Sequence, residues 1–127
     1  MIVSNKTVLL NMNFLNYEMP VIKNYKQLLF YIKNNELEND ISESLTGLWK
    51  EKETGGCIFQ FDYKDGLTYT LMLWKNNRLS TLSHELMHAV DFLCKRKGID
   101  DSETRAYMMG YFMKQAIEEF SNVKFEA

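Results

Sequence analysis

The feature that most constrains this chain is a pair of histidines spaced for one face of a helix. The 127-residue sequence contains two histidines, His84 and His88, and Glu85 directly follows the first. Each residue of an α-helix turns by about 100°, so residues four apart lie one above the other on the same face. Two imidazoles placed in this way can occupy two corners of the tetrahedron around one zinc ion. The spacing therefore predicts a helical segment that carries a site for one zinc ion.

The residues around the histidines predict a helix with two different faces. His84, His88 and Asp91 fall on one side. Apolar residues repeat at helical spacing on the opposite side, namely Leu82, Leu86, Ala89 and Leu93. We predict that this helix runs from about residue 79 to residue 97, where basic residues favour a helix end and Gly98 stops it.

A third protein ligand has to be a carboxylate or a thiolate, because there is no third histidine. Glu103 is the first candidate, near the start of a second helix predicted from about 101–102 to 120. It shares a helical face with Ala106, Gly110, Met113 and Ile117. A glutamate on a core-facing stripe is costly unless a metal compensates its charge. The glycine on that stripe would allow close packing on the histidine helix.

Two other interpretations of these carboxylates stay open. An acidic residue is favoured in the first turn of any helix, so Glu103 could serve only that purpose. Asp91 lies one turn beyond His88 and is the alternative ligand. It could instead hydrogen-bond to a histidine and orient its ring without contacting the metal.

The chemistry expected of such a site is hydrolysis. Two histidines and one carboxylate leave a fourth position for water, whose pKa zinc lowers to about 7. Glu85 would take a proton from this water as general base and deliver it to a leaving amine. Tyr107 is the candidate oxyanion stabiliser, and Tyr111 and Arg105 are further candidates. Each of the three also fits an ordinary role in the core or on the surface.

The rest of the pattern predicts one α+β domain over residues 1–127, with three or four helices and a small antiparallel sheet. A strand is expected over residues 6–12, and Pro20 is interpreted as a turn. A helix from Ile22 would bury a face that repeats at helical spacing, made of Ile22, Tyr25, Leu29 and Ile32. A second helix follows Asp40 as its cap, with a face made of Ile41, Leu45, Leu48 and Trp49.

A β-hairpin is predicted between these helices and the histidine helix. Residues 57–63 and 67–74 alternate apolar and polar side chains, and Asp65-Gly66 supplies the turn. Gly55-Gly56 breaks the chain before the hairpin. Cys57 and Cys94 are interpreted as free thiols, and two cysteines are too few for a zinc ribbon.

The segment His84-Glu85-Leu86-Met87-His88 matches the HExxH motif of the zincin metallopeptidases. The hairpin with Gly55-Gly56-Cys57, the run Ser80-Thr81-Leu82, and Glu103 through Tyr107 and Gly110 resemble small metallopeptidase-like proteins encoded by tailed bacteriophages. This resemblance covers roughly residues 54–112. It implies a minimal zincin-like fold with the motif on the penultimate helix, a glutamate as third ligand, and a strand edge that binds extended peptide.

Composition and charge limit the classes of partner that we expect. Fifteen basic and 17 acidic residues give a net charge of −2, which argues against nucleic acid. No apolar run has the length of a membrane span, and the N-terminus lacks the pattern of a signal peptide. We expect a peptide or protein substrate and a place in the host cytoplasm. The alternative is a non-catalytic phage structural or virion-packaged protein that contacts other virion proteins.

Overall fold

The structure is a computed structural model that describes residues 1–126. Four strands form one sheet, and four α-helices lie against it. In chain order the elements are β1 (Val8–Met12), a short 3-10 helix (Asn13–Leu15), β2 (Tyr17–Ile22), α1 (Tyr25–Asn34), α2 (Asn39–Lys50), β3 (Gly56–Asp62), β4 (Thr68–Trp74), α3 (Leu79–Lys97) and α4 (Ser102–Glu119).

The sheet is mixed, with the strand order β1-β2-β4-β3. β1 pairs with β2 and β3 pairs with β4 in antiparallel fashion, whereas β2 and β4 are parallel. The α+β class is therefore confirmed, but the expectation of a purely antiparallel sheet is wrong. Alternation along the chain identifies a strand but not its partner, and the segment from α1 to β3 returns the chain for a parallel pairing. β3 is left as an edge strand.

Helices cover both faces of the sheet. α3 and α4 pack on one face, in a core that contains Leu10, Met12, Met19, Trp74 and Phe112. α1 and α2 pack on the other face, in a core that contains Ile22, Leu28, Tyr31, Leu45 and Phe61. None of the helices in the described part of the chain has the length and apolar character needed to cross a membrane.

The predictions for the first 40 residues are partly wrong. The strand over residues 6–12 is confirmed by β1, but Pro20 lies inside β2 and not in a turn. Ile22 ends that strand, and Asn24 caps α1 by accepting a hydrogen bond from the backbone N–H of Gln27 at 2.9 Å. A proline fits an extended backbone as well as a turn, so its presence did not decide between the two.

The buried face of α1 also differs from the prediction. Leu28 and Tyr31 are buried, whereas Leu29 is 45% exposed. In α2 the predicted apolar face is confirmed around buried Leu45. Asp40 lies within the first turn of α2 and does not cap it, since the helix begins at residue 39.

The second half of the chain follows the predictions closely. The hairpin has the expected strands, and Gly66 turns it with a φ of 83°. α3 spans residues 79–97 and ends at Gly98, which has a φ of 67°. Asp101 caps α4 by accepting a hydrogen bond from the backbone N–H of Thr104.

Candidate functional site

The two histidines converge on the exposed side of α3. Their Nε2 atoms lie 3.2 Å apart, and the ring planes are nearly perpendicular at 85°. Two nitrogens that each lie about 2.0–2.1 Å from one tetrahedral zinc ion are separated by about 3.3–3.4 Å. The pair of His84 and His88 therefore fits two ligand positions of one zinc ion.

The packing of α3 holds the histidines at the surface. The opposite side is the predicted apolar face, and its four members are at most 1% exposed: Leu82, Leu86, Ala89 and Leu93. Burial of that face against the sheet fixes the rotation of the helix and turns the histidines outward. The predicted division of this helix into two faces is confirmed.

Glu85 lies beside the histidines but is only 7% exposed. Burial raises the pKa of its carboxyl group, while the neighbouring His84 and His88 and the backbone N–H of Ile58 lower it. The net shift is upward. A carboxyl group whose pKa is moved toward neutrality is better suited to exchange protons at physiological pH.

A groove between α3 and the start of β3 contains the two histidines and the glutamate of the HExxH motif. It is lined by Gly56, Cys57, Ile58, His84, Glu85, His88 and Phe92. A side chain at Gly56 would have its Cβ 2.7 Å from the carbonyl oxygen of Leu73 and 3.4 Å from Cγ of Glu85. The glycine is thus required for the close approach of β3 to the Leu73 carbonyl of β4, and at this position β3 also lies against Glu85.

Two further residues of the groove, Phe92 and Cys57, lie outside the HExxH motif. The ring of Phe92 stacks on His88, with centroids 6.4 Å apart and planes 24° from parallel. Burial, with the nearby Glu85 as a second cause, raises the pKa of the Cys57 thiol to about 11. Without a metal this thiol is therefore protonated at neutral pH.

Glu103 does not meet the histidines in this structure. It is exposed in the first turn of α4, and no group of three or more His, Cys, Asp or Glu side chains converges within residues 1–126. The residues of α4 that are buried are Met108, Phe112 and Ala116.

The predicted core-facing stripe of α4 is therefore wrong. Glu103, Ala106, Gly110 and Ile117 are exposed, and only Met113 is partly buried. No atom lies within 4 Å of a Cβ built on Gly110, so this glycine does not bring the two helices together. Both sides of α4 carry apolar residues, and the face on which it packs could not be chosen from spacing alone.

The other candidate residues have different surroundings. Asp91 accepts a hydrogen bond from Nη1 of Arg105 at 2.5 Å. Tyr107 is 70% exposed and Tyr111 is 38% exposed. Asp91 thus has a cationic partner from α4, while Tyr107 projects from the surface.

Sequence reasoning missed the groove residues Gly56, Ile58 and Phe92. Two signals pointed to them: the Gly55-Gly56 pair, which was interpreted as a chain break and as part of the family resemblance but not as a wall of the site, and the position of Phe92 one turn after His88. Comparison of the chain with protein-family models, curated proteins and solved structures finds no match. The functional argument accordingly depends on the residues themselves.

Proposed function

We propose that this protein is a zinc-dependent hydrolase that cleaves a peptide bond. The observation that carries the proposal is the 3.2 Å separation of the Nε2 atoms of His84 and His88 beside the buried carboxyl group of Glu85. At this distance the two rings can share an N–H···N hydrogen bond in the absence of metal, and the same approach is the one that two ligands of a single zinc ion require. The resemblance to zincin metallopeptidases is the second support.

His84 and His88 would hold the zinc ion through Nε2. When bound, zinc supplies Lewis acidity, which polarises a substrate carbonyl and lowers the pKa of a water molecule. The exposed position of both rings leaves this side of α3 open to a substrate. Phe92 lies beside His88, with ring centroids 6.4 Å apart, and forms an apolar wall of the groove.

Glu85 would act as the general base. Its position next to the histidines allows it to take a proton from the attacking water and to pass it to the leaving nitrogen. Burial raises the pKa of Glu85 and so strengthens the carboxylate as a base. Gly56 keeps β3 close enough to maintain that burial.

Glu103 remains our candidate for the third ligand. Its carboxylate has no hydrogen-bond or ion-pair partner among residues 1–126, whereas Asp91 is engaged by Arg105. A carboxylate without a partner can be recruited by a metal at lower cost than one that must first leave an arginine. This difference favours Glu103 over Asp91. Because Glu103 does not meet the histidines in the structure, its recruitment would also require the first turn of α4 to move toward them.

The substrate class follows from the position of β3. This strand is the edge of the sheet, and its first residues line the groove with the histidines. A sheet edge offers unpaired N–H and C=O groups, to which an extended peptide can add as another strand. The backbone of a substrate peptide paired with β3 would then place one of its peptide bonds next to Glu85.

A second candidate function is a non-catalytic one, as a phage structural or virion-packaged protein. The exposed position of Glu103, away from the histidines, favours it. In this case metal would bind weakly through two histidines, or not at all, and Glu85 would serve only packing.

The test combines metal content with a peptidase assay. Zinc is measured by mass spectrometry in the untagged protein and in H84A, with E118Q as a control for an exposed glutamate on α4. Cleavage is measured on a library of internally quenched peptides. We expect stoichiometric zinc in the wild type and in E118Q, and a loss in H84A.

Glu85→Gln distinguishes the two functions. The hydrolase predicts that E85Q keeps its zinc and its fold and loses cleavage, by about 100-fold or more. A wild type that takes up no added zinc would overturn the proposal. A wild type that binds zinc tightly but cleaves no peptide would favour the structural role.

A further inference from the structure

The side of α4 that faces away from the sheet carries two exposed aromatic rings. Tyr107 is 70% exposed and Tyr111 is 38% exposed, on the side opposite buried Met108 and Phe112. Together with four other exposed residues they form what we call the outer face of α4: Glu103, Ala106, Tyr107, Gly110, Tyr111 and Lys114. Tyrosine is enriched in surfaces that bind other proteins, so the outer face is a candidate contact surface.

The small residues of the outer face have no packing role within the chain. A Cβ built on Gly110 meets nothing within 4 Å, although glycine inside a helix costs about 1 kcal/mol relative to alanine. Ala106 is exposed one turn before it. The two residues form a low strip beside the tyrosine rings, along which the backbone of a second helix can approach closely.

The charged residues of the outer face are complementary to a second copy of the same face. Glu103 and Lys114 lie about three helical turns apart, which places them on the same side of α4 but about 16 Å from each other along its axis. Neither has an ion-pair partner among residues 1–126. If a second copy of α4 runs in the opposite direction, its Lys114 can lie opposite Glu103, and its Glu103 opposite Lys114.

This alignment also matches large residues with small ones. Four residues along one helix and four residues back along the other, Tyr107 is level with Gly110 of the second copy. The next step of four brings Tyr111 level with Ala106. Because an isologous contact repeats every pairing in reverse, no two large residues compete for the same height along the helix pair.

We propose that the zinc-free protein forms a symmetric dimer through the outer face of α4, with the two helices antiparallel. Two ion pairs between Glu103 and Lys114 would fix the alignment, and contacts of the tyrosine rings would bury apolar area. Six residues on each side make a contact much smaller than the 20–30 residues of a standard interface. We therefore expect a weak dimer, with a dissociation constant on the order of 100 µM.

The dimer is independent of the proposed peptidase activity. It uses neither the histidines of α3 nor Glu85, and its detection requires no substrate. It does engage Glu103, which we propose that zinc recruits, so the dimer is tested with the metal removed by a chelator.

The test is sedimentation equilibrium of the full-length protein in EDTA, over about 10–500 µM. The average mass should rise with concentration from that of one chain toward that of two. E103K and K114E each place like charges at both symmetric positions, and each should weaken association by at least about tenfold. The double variant E103K/K114E should recover the wild-type affinity to within about threefold, and an equimolar mixture of the two single variants should associate again.

Two matched controls separate the alignment from general effects. E118K changes the net charge as E103K does, but Glu118 would be level with the uncharged Ile99 of the second copy, so its affinity should stay within about twofold of the wild type. G110L fills the low strip and should weaken the dimer at least about tenfold, whereas G47L, at another glycine whose Cβ has open space, should not.

Several results would overturn the proposal. One is a mass of a single chain up to about 500 µM. A dimer that E103K and K114E leave unchanged, or that the double variant does not restore, would lie on another surface or in another alignment. Equal weakening by E103K and E118K, or by G110L and G47L, would also contradict it.

Discussion

The carboxylate of Asp91 accepts a hydrogen bond from Nη1 of Arg105 at 2.5 Å, and this ion pair joins α3 to α4. The side chains are 42% and 33% exposed, so solvent screens most of the attraction. A pair of this kind contributes about 0.2–1 kcal/mol.

The ion pair predicts a small measurable coupling between the two helices. D91N and R105Q should each lower the free energy of unfolding in urea, and the double variant should lose less than the sum. We expect a coupling energy of about 0.5 kcal/mol that decreases with added salt, because the pair is partly exposed. Strict additivity of the two changes would contradict the interaction.

The same ion pair predicts which carboxylate the metal uses. D91N should retain zinc with little change in affinity, since its partner is Arg105. E103Q should lose at least about tenfold in zinc affinity, because it removes a proposed ligand. Both are measured by competition with a chromophoric chelator, with E118Q as the control. The reverse order would identify Asp91 as the third ligand.

Two glycine-to-alanine changes should have opposite effects on stability. G56A forces a Cβ to within 2.7 Å of the Leu73 carbonyl oxygen, a backbone atom that cannot move away easily. We expect it to destabilise the protein by about 1–3 kcal/mol and to disturb the burial of Glu85. G110A meets nothing within 4 Å on an exposed helical face, and should stabilise the protein by about 0.5–1 kcal/mol.

Thermal and urea unfolding of the two variants and the wild type provide the measurement. G47A is a second control, since its Cβ also has open space in α2. Similar stabilities for G56A and G110A would mean that Gly56 does not approach the Leu73 carbonyl of β4 as closely as described.

Lys23 predicts a dependence of stability on alkaline pH. Its Nζ lies 3.7 Å from the centroid of the Trp74 ring and donates to Oδ1 of Asn77 at 2.7 Å. Burial lowers the pKa of Lys23 from 10.5 to about 8, against the opposing effect of Glu126. Between these two values the unfolded chain binds more protons than the folded protein, so this residue makes stability rise as pH increases.

The comparison with K23M isolates this effect. We expect the free energy of unfolding of the wild type, relative to K23M, to increase from pH 8 to pH 10.5 and to be constant below pH 8. The increase should be modest because Lys23 is only half-buried. A difference that falls with pH would contradict the lowered pKa.

Local chemistry determined the second half of the fold from sequence alone. Gly66 and Gly98 occupy positions with a positive φ, which glycine adopts without strain, and Asp101 accepts a hydrogen bond from a backbone N–H at a helix start. The two faces of α3 were equally predictable, since burial of one leucine-rich side leaves only one orientation for His84 and His88. These features depend on residues close together in the chain.

Tertiary structure alone decided features that depend on distant partners. Pro20 is compatible with a turn and with a strand, and only its place between β1 and β4 makes it a strand residue that ends a ladder. Both sides of α4 are apolar enough to be buried, so the side that carries Met108 and Phe112 was selected by fit against α3 and the sheet. Glu103 was thereby turned outward.

The candidate site also combines features that the sequence predicted with features that only the tertiary structure decided. His84, Glu85 and His88 come from one helix turn, and their spacing alone predicted that the histidines would converge. The groove that encloses Glu85 required β3 to approach through Gly56, and Asp91 acquired its role from Arg105 on another helix. Spacing within one helix is dictated by backbone geometry, whereas contacts between elements depend on how the whole set of side chains packs.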